Sequence, residues 1–275
     1  MQGRVLIIAG SDSGGGAGIQ ADIKTVTALG GYAMTAITAL TAQNTLGVHA
    51  IHEVPEDFIA RQIEVVLDDI GADAIKIGML HKAGVIHAVA DALERAGGDI
   101  PLVLDPVMVA KGGHALLEPE AVDAMEKRLL ARATLITPNI PEAEALTGIK
   151  IDGVADFGPV GDKLLRLGAH AALIKGGHLD EDAAQNGGMV TDVLWREGVR
   201  MEIFEGRRID SRHTHGTGCT LASAIACGLA QGLGMVAAIK RAHAYVHEAI
   251  LSAPGYGAGH GPLNHAHTVA PFTDS

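Results

Sequence analysis

Two glycine-spaced stretches have the residue types to hold a ligand against the backbone: GSDSGGGAG at 10–18 and HTHGTGCTLASAIA at 213–226. In the second, the loop HGTGCT runs straight into small and apolar residues that read as a helix. The backbone N–H groups of Gly216, Thr217, Gly218 and Cys219 would then stand at a helix N-terminus, where unsatisfied donors and the macrodipole favour an anion. A phosphate or a developing oxyanion suits that place; a plain turn capped by Thr217 is the alternative. Cys219 falls in the first turn, where the thiol pKa is expected to be lowered, so that it could take a proton from an attacking hydroxyl. Cys227 has no such context and reads as a small core residue.

The commonest nucleotide motifs are missing. No Gly-Lys dipeptide occurs, so there is no P-loop. Gly14 and Gly16 are followed at the third slot of a dinucleotide fingerprint by Ile19, so that motif fails as well. Charged chemistry is instead spread over the ends of apolar runs. Asp105 ends PLVLD, and Glu142 follows Asn139 by three residues in TPNIPE; such oxygen ligands suit Mg²⁺, which keeps several waters and binds phosphates. Lys175 ends AALIK and can supply a point charge to a phosphate. A helix cap or a surface charge is the alternative for each. The 14 His residues do not form a zinc pattern: His243 and His247 are four apart, but neither zincin position holds the required Glu. His49, His52, His260, His265 and His267 are expected to be solvated or hydrogen-bonded.

The elements that must position these groups alternate. β-rich runs (VLIIAG, AITALT, AIKIG, PLVLD, ATLIT, AALIK) are separated by helical ones (GIQADIKTVTAL, DFIARQIEVVLDDI, AGVIHAVADALERAG, EPEAVDAMEKRLL, IPEAEAL, and one near 160–167). This pattern predicts an α/β fold with a mostly parallel sheet and helices on both faces. MVTDVLWREGVRMEIFEG reads as a hairpin at the sheet edge, turning at Glu197-Gly198. Helices are expected over 220–230 and 235–251, then a Gly- and His-rich tail from about 253 to 275. One domain of 1–275 is expected. In such a sheet, ligands bind beyond the carboxyl ends of the strands, and the expected loops there are SDSGGGAG, QNT, GML, DPVMVAKGG, TPNIPE and KGGH.

Composition narrows the partners. The chain has 275 residues, 48% hydrophobic but only 3% aromatic, so the core must be aliphatic. A net charge of -11 with scattered Lys and Arg argues against nucleic acid. No apolar run has the length of a membrane span, and the start of the chain reads as a strand rather than a secretion signal, so a soluble cytoplasmic protein is expected. On a shared helix the two cysteines would be about 12 Å apart, too far for a disulfide.

Taken together, GSDSGGGAGIQADIKT, ITALTAQNT, KIGML, DPVMVAKGG, TPNIPEAEAL, LIKGGH and HGTGCTLASAIA resemble the hydroxymethylpyrimidine and phosphomethylpyrimidine kinases of thiamine biosynthesis, in the ribokinase-like superfamily. The resemblance implies a ribokinase-like fold, a dimer, and phosphoryl transfer from ATP with Mg²⁺ to a pyrimidine alcohol and then to its monophosphate. It makes the HGTGC loop the anion hole, with Cys219 where most sugar kinases of the superfamily carry Asp. It also implies that Asn139 and Glu142 form a metal and phosphate motif, that Asp105 faces the phosphates, and that Lys175 lies near the nucleotide. Gly10, Ala17, Gln43, Met79 and Val107 would line the pyrimidine pocket, with Asp22 and Lys111 also suggested. Gln43 offers both donors and an acceptor, which complements an aminopyrimidine edge. The chain departs from the family after Lys111, carrying Gly112 and His114 where Ser and a small or acidic residue are more usual. Pyridoxal kinase and a catalytically silent pyrimidine sensor are the alternatives.

Overall fold

The computed structural model describes residues 2–109, 116–177, 188–198 and 201–270. Along the chain run β1 (Arg4–Asp12), α1 (Gly18–Ala28), β2 (Tyr32–Asn44), β3 (Gly47–Glu53), α2 (Glu56–Asp69), β4 (Ala74–Ile77), α3 (Ala83–Ala96) and β5 (Leu102–Leu104). They are followed by α4 (Pro119–Arg128), β6 (Leu135–Ile136), α5 (Ile140–Thr147), α6 (Phe157–Arg166), β7 (Ala171–Ile174), β8 (Met189–Arg196), β9 (Glu202–Arg207), α7 (Thr217–Ala230) and α8 (Met235–Leu251).

The strands form one nine-stranded sheet in the order β3-β2-β1-β4-β5-β6-β7-β8-β9. Pairing is parallel from β2 through β7 and antiparallel at both margins. The buried residues of β1 show why the chain folds this way. Leu6 and Ile8 join a core with α2 to α6, whereas Val5, Ile7 and Ala9 join one with α1, α7 and α8. Successive side chains of a strand point to opposite faces, so a continuous apolar run needs helices on both.

The expected edge hairpin is present as β8 and β9, with Gly198 in the left-handed region at φ 66° where the chain turns. A second hairpin was not expected. β2 runs on to Asn44 and β3 pairs antiparallel with it, so Gln43 and Asn44 belong to a strand end and not to a QNT loop. The reason is that this ribbon extends past the core: β3 has no buried residue, and VHAIHE lacks the apolar alternation that marks a half-buried strand.

Candidate active site

The carboxyl ends of the parallel strands gather the chemistry. Asp12 ends β1, Gln43 lies near the end of β2, and Met79, Asp105, Asn139 and Lys175 follow β4, β5, β6 and β7. α7 starts at Thr217, three residues earlier than the spacing predicts, because Gly216 adopts φ 84° and turns the chain into the helix. The first N–H to find a helical acceptor is that of Thr220, on the Gly216 carbonyl at 2.9 Å. The N–H groups of Gly218 and Cys219 therefore precede the helical ladder, the position at which helix starts favour an anion.

The two glycine stretches form one structure. Asp12 is the residue that joins them, and its role is invisible in the motif strings. Its carboxylate accepts from the N–H groups of Gly14 (2.8 Å), Gly16 (3.1 Å) and Ala17 (2.8 Å), and Nε2 of His215 lies 2.9 Å away. Burial works against that charge, but His215 and the loop N–H groups outweigh it and hold the Asp12 pKa below the ordinary carboxylate value. His215 in turn lies 3.3 Å from the Gln43 amide nitrogen. The only sequence signal for Asp12 is an acidic residue two positions before a glycine cluster, which is a common turn former.

At the other end of the loop, a β-carbon on Gly218 would sit 3.4 Å from Lys175 Nζ and 3.6 Å from Asp105 Oδ2. Lys175 is ion-paired with Asp105 at 3.0 Å and lies 4.0 Å from Glu142. Burial opposes its charge, yet the two carboxylates outweigh this and raise its pKa. Thr137, not anticipated from sequence, donates to Asp105 at 3.1 Å. Asn139 and Glu142 form a reciprocal capping box on α5, at 2.8 and 2.9 Å, so the cap reading of Glu142 holds at the same time as its place in the charge cluster. Burial pushes the Glu142 carboxyl up to about 7, against the pull of Lys175. Two buried carboxylates share one ammonium here. That donor set fits an ion such as Mg²⁺, which takes one or two protein oxygens and fills the rest with water and phosphate. Among the described residues no group of three or more His, Cys, Asp and Glu could hold a metal unaided.

Met79 packs with Ala39, Leu116 and Val107 in a small apolar cluster beside the site. Gly10 makes room for Met79, since a β-carbon there would be 3.2 Å from Met79 Cε. Ala17 is the N-cap of α1 and meets the site through its N–H on Asp12. Lys111, with Gly112 and His114, lies outside the described residues.

Two expectations are corrected. Asp22 has no exposed surface with which to meet a substrate: it is fully buried, paired with the equally buried Lys76 at 2.8 Å and accepting from Ser223 Oγ at 2.7 Å. Burial disfavours the Lys76 ammonium, but Asp22 outweighs it and holds the pKa above the ordinary lysine value. The second correction concerns the Cys219 thiol, which was expected to be acidified by the helix start. Burial pushes it up to about 11, and the nearby Lys76 only partly offsets this. Desolvation of a thiolate outweighs the partial charge of one helix end.

The segment 253–270 packs over these loops. His260 N–H donates to the Thr45 carbonyl at 2.9 Å and His215 N–H to that of Gly261 at 3.1 Å, while Thr220 Oγ1 and His265 Nε2 are 3.0 Å apart. Among the described residues no helix is long and apolar enough to cross a membrane.

Comparison with known proteins places this geometry. The Phosphomethylpyrimidine kinase family profile matches residues 12–264. The chain is 50% identical over 264 residues to a bifunctional thiamine biosynthesis protein of Geobacter sulfurreducens, covering 96% of this chain and 52% of that one, about half its length. It is 47% identical over 261 residues to a hydroxymethylpyrimidine/phosphomethylpyrimidine kinase of Streptomyces coelicolor, covering 95% and 93%. The crystal structure of a phosphomethylpyrimidine kinase from Clostridium difficile is similar with a TM-score of 0.78 at 43% identity, over 90% of this chain and 99% of that one. A Staphylococcus aureus pyridoxal kinase in complex with AMP-PCP and pyridoxal is similar with a TM-score of 0.85 at 34% identity, over 96% and 94%. The architecture is the ribokinase-like one that the motifs imply. With a family profile over most of its length and relatives near half identical along nearly all of it, the chain belongs to the phosphomethylpyrimidine kinase family.

Proposed function

We propose that this chain transfers the terminal phosphoryl group of ATP to hydroxymethylpyrimidine, and then phosphorylates the resulting monophosphate to the diphosphate, in thiamine biosynthesis. One observation carries the reading: a single short loop joins the two ends of the reaction. Its His215 touches Gln43, the candidate reader of the ring, and its Gly218 lies against Lys175 and Asp105, the candidate phosphate-neutralising pair. An alcohol held at the first end meets a phosphate held at the second.

In the transfer, a bond forms between the alcohol oxygen and the terminal phosphorus while the bond to the bridging oxygen breaks, leaving ADP. The N–H groups of Gly218 and Cys219 hold the phosphoryl oxygens as charge spreads over them, each donor contributing about 3 kcal/mol by analogy with oxyanion holes. Asp105 and Glu142 would hold Mg²⁺, which when bound neutralises phosphate charge. A loose transition state demands little of a base, so the alcohol proton leaves late, passing to a phosphoryl oxygen or to water. That agrees with a Cys219 that keeps its own proton at neutral pH.

Steady-state assays with ATP, Mg²⁺ and hydroxymethylpyrimidine test the reading. Turnover of both alcohol and monophosphate is expected, and a folded sample without turnover would refute it. The second reading is pyridoxal phosphorylation, favoured by the likeness to pyridoxal kinases. Comparing kcat/KM for the two alcohols decides between them. A silent sensor would instead be stabilised thermally by the pyrimidine without consuming ATP. The family resemblance also supports a cytoplasmic homodimer, which sedimentation and fractionation would test.

A further inference from the structure

The hydrogen bonds around Gln43 leave its amide a single satisfactory orientation. Thr41 and Gln43 are two apart on β2 and share a face, with Thr41 Oγ1 3.1 Å from Gln43 Oε1. The Thr41 hydroxyl has one proton, and it lies 2.8 Å from the Ser11 carbonyl oxygen, which only accepts. That proton belongs to Ser11, so Thr41 turns only lone pairs towards the amide. On the other side, His215 Nε2 is 2.9 Å from Asp12 Oδ2 and 3.3 Å from Gln43 Nε2. The Asp12 carboxylate already accepts three backbone N–H groups and has no proton to give, so Nε2 of His215 carries one.

An amide oxygen on Thr41 therefore faces lone pairs, and an amide nitrogen on His215 faces another N–H. A half-turn about the Cγ–Cδ bond cures both contacts and leaves the packing unchanged, since amide oxygen and nitrogen are nearly isosteric and are assigned by their partners. Nε2 then donates to Thr41, and Oε1 accepts the longer branch of the single His215 N–H, which is shared with Asp12 Oδ2. One N–H and one lone pair are left for a ligand, in a fixed order.

We propose that Thr41 and the Asp12–His215 pair are positioning residues that lock the Gln43 amide in this orientation, so that the pocket selects a ring edge with an adjacent donor and acceptor, as on an aminopyrimidine, over a ring edge bearing only oxygen substituents. The inference rests on Gln43 as the ring reader. It adds Thr41, a residue with no chemistry of its own in the transfer, to the specificity of the site.

Thr41→Val keeps the shape of the side chain and removes its lone pairs; Thr41→Ser keeps both hydrogen bonds. For the aminopyrimidine alcohol, Thr41→Val is expected to raise KM about fivefold, the worth of one neutral hydrogen bond, with kcat within about twofold. Thr41→Ser should match the parent, and neither change should affect KM for the same alcohol lacking the amino group. If Thr41→Val does not fold, Thr41→Ala gives the same comparison. Calorimetric Kd values for the two alcohols run in parallel. Absence of turnover in the parent, with the binding preference intact and sensitive to Thr41, would count against the kinase reading alone. An equal KM or Kd change for both alcohols, no change for either, or no preference in the parent overturns the role of Thr41.

Discussion

Gly16 and Gly216 lie in van der Waals contact across the site: a β-carbon on Gly216 would sit 1.8 Å from the Gly16 carbonyl oxygen, and one on Gly16 would sit 2.5 Å from His215 Cδ2. Two stretches 200 residues apart in sequence are thus a single interlocked unit, closed by Asp12. The contact requires glycine twice, for space at both positions and for φ 84° at Gly216.

Gly216→Ala or Gly16→Ala should move the loop by about an ångström, the shift needed to relieve either contact. Misplacement on that scale costs about 100-fold in kcat/KM. Kinetics with circular dichroism in parallel check it: the fold should persist while activity falls, and parent-like kinetics in both variants would contradict the interlock.

For Cys219, a pKa pushed up to about 11 leaves roughly 0.03% thiolate at pH 7.5. Alkylation by iodoacetamide, followed by mass spectrometry of the Cys219 peptide, should be slow at pH 7 to 8 and still rising at pH 10. A plateau near pH 8 would show an acidified thiol and restore it as a ground-state base.

The buried pair of Lys76 and Asp22 makes a stability prediction. Lys76→Met takes the cation from an Asp22 carboxyl whose pKa burial already holds above the ordinary value, which should cost about 3 to 5 kcal/mol in urea unfolding, as an orphaned charge or as the proton that must neutralise it. Adding Asp22→Asn should recover most of that loss, because the expense lies in the orphaned carboxyl. A double variant no more stable than the single would contradict this account.

Glu142→Gln separates the cap from the charge. Glutamine can still accept the Asn139 N–H, so α5 and the melting temperature should be nearly unchanged. Phosphoryl transfer should need at least tenfold more Mg²⁺ for half-saturation, and chelation of the parent should abolish turnover reversibly. An unchanged Mg²⁺ requirement would remove Glu142 from the metal site.

His265 should make the protein acid-sensitive. Burial lowers its pKa to about 4, against an ordinary value near 6.5. The folded state then binds fewer protons than the unfolded chain below pH 6.5. The stability is complete above that pH and is lost as pH falls through the window from 6.5 to 4, by about 3 kcal/mol in all. Melting temperature against pH should fall less steeply over that window in His265→Gln than in the parent.

The chain by itself determined the α/β alternation, the edge hairpin at Glu197-Gly198, the positions of Asp105, Asn139 and Lys175 just after strands with Glu142 in the next helical turn, and the glycine loop that opens α7. These are local: apolar periodicity, capping signals and glycine spacing act over a few residues. The tertiary structure alone decided the rest. It drew β2 past the core to carry Gln43, and sank Asp22 onto Lys76 with no exposed surface. It raised the Cys219 thiol where the local sequence suggested the opposite, and it joined Asp12, His215 and Gln43. Burial and long-range pairing set these outcomes, and both depend on which distant residues fill the space around a group. A desolvated thiol or a carboxylate with a buried lysine beneath it looks, in the string of letters, the same as an exposed one.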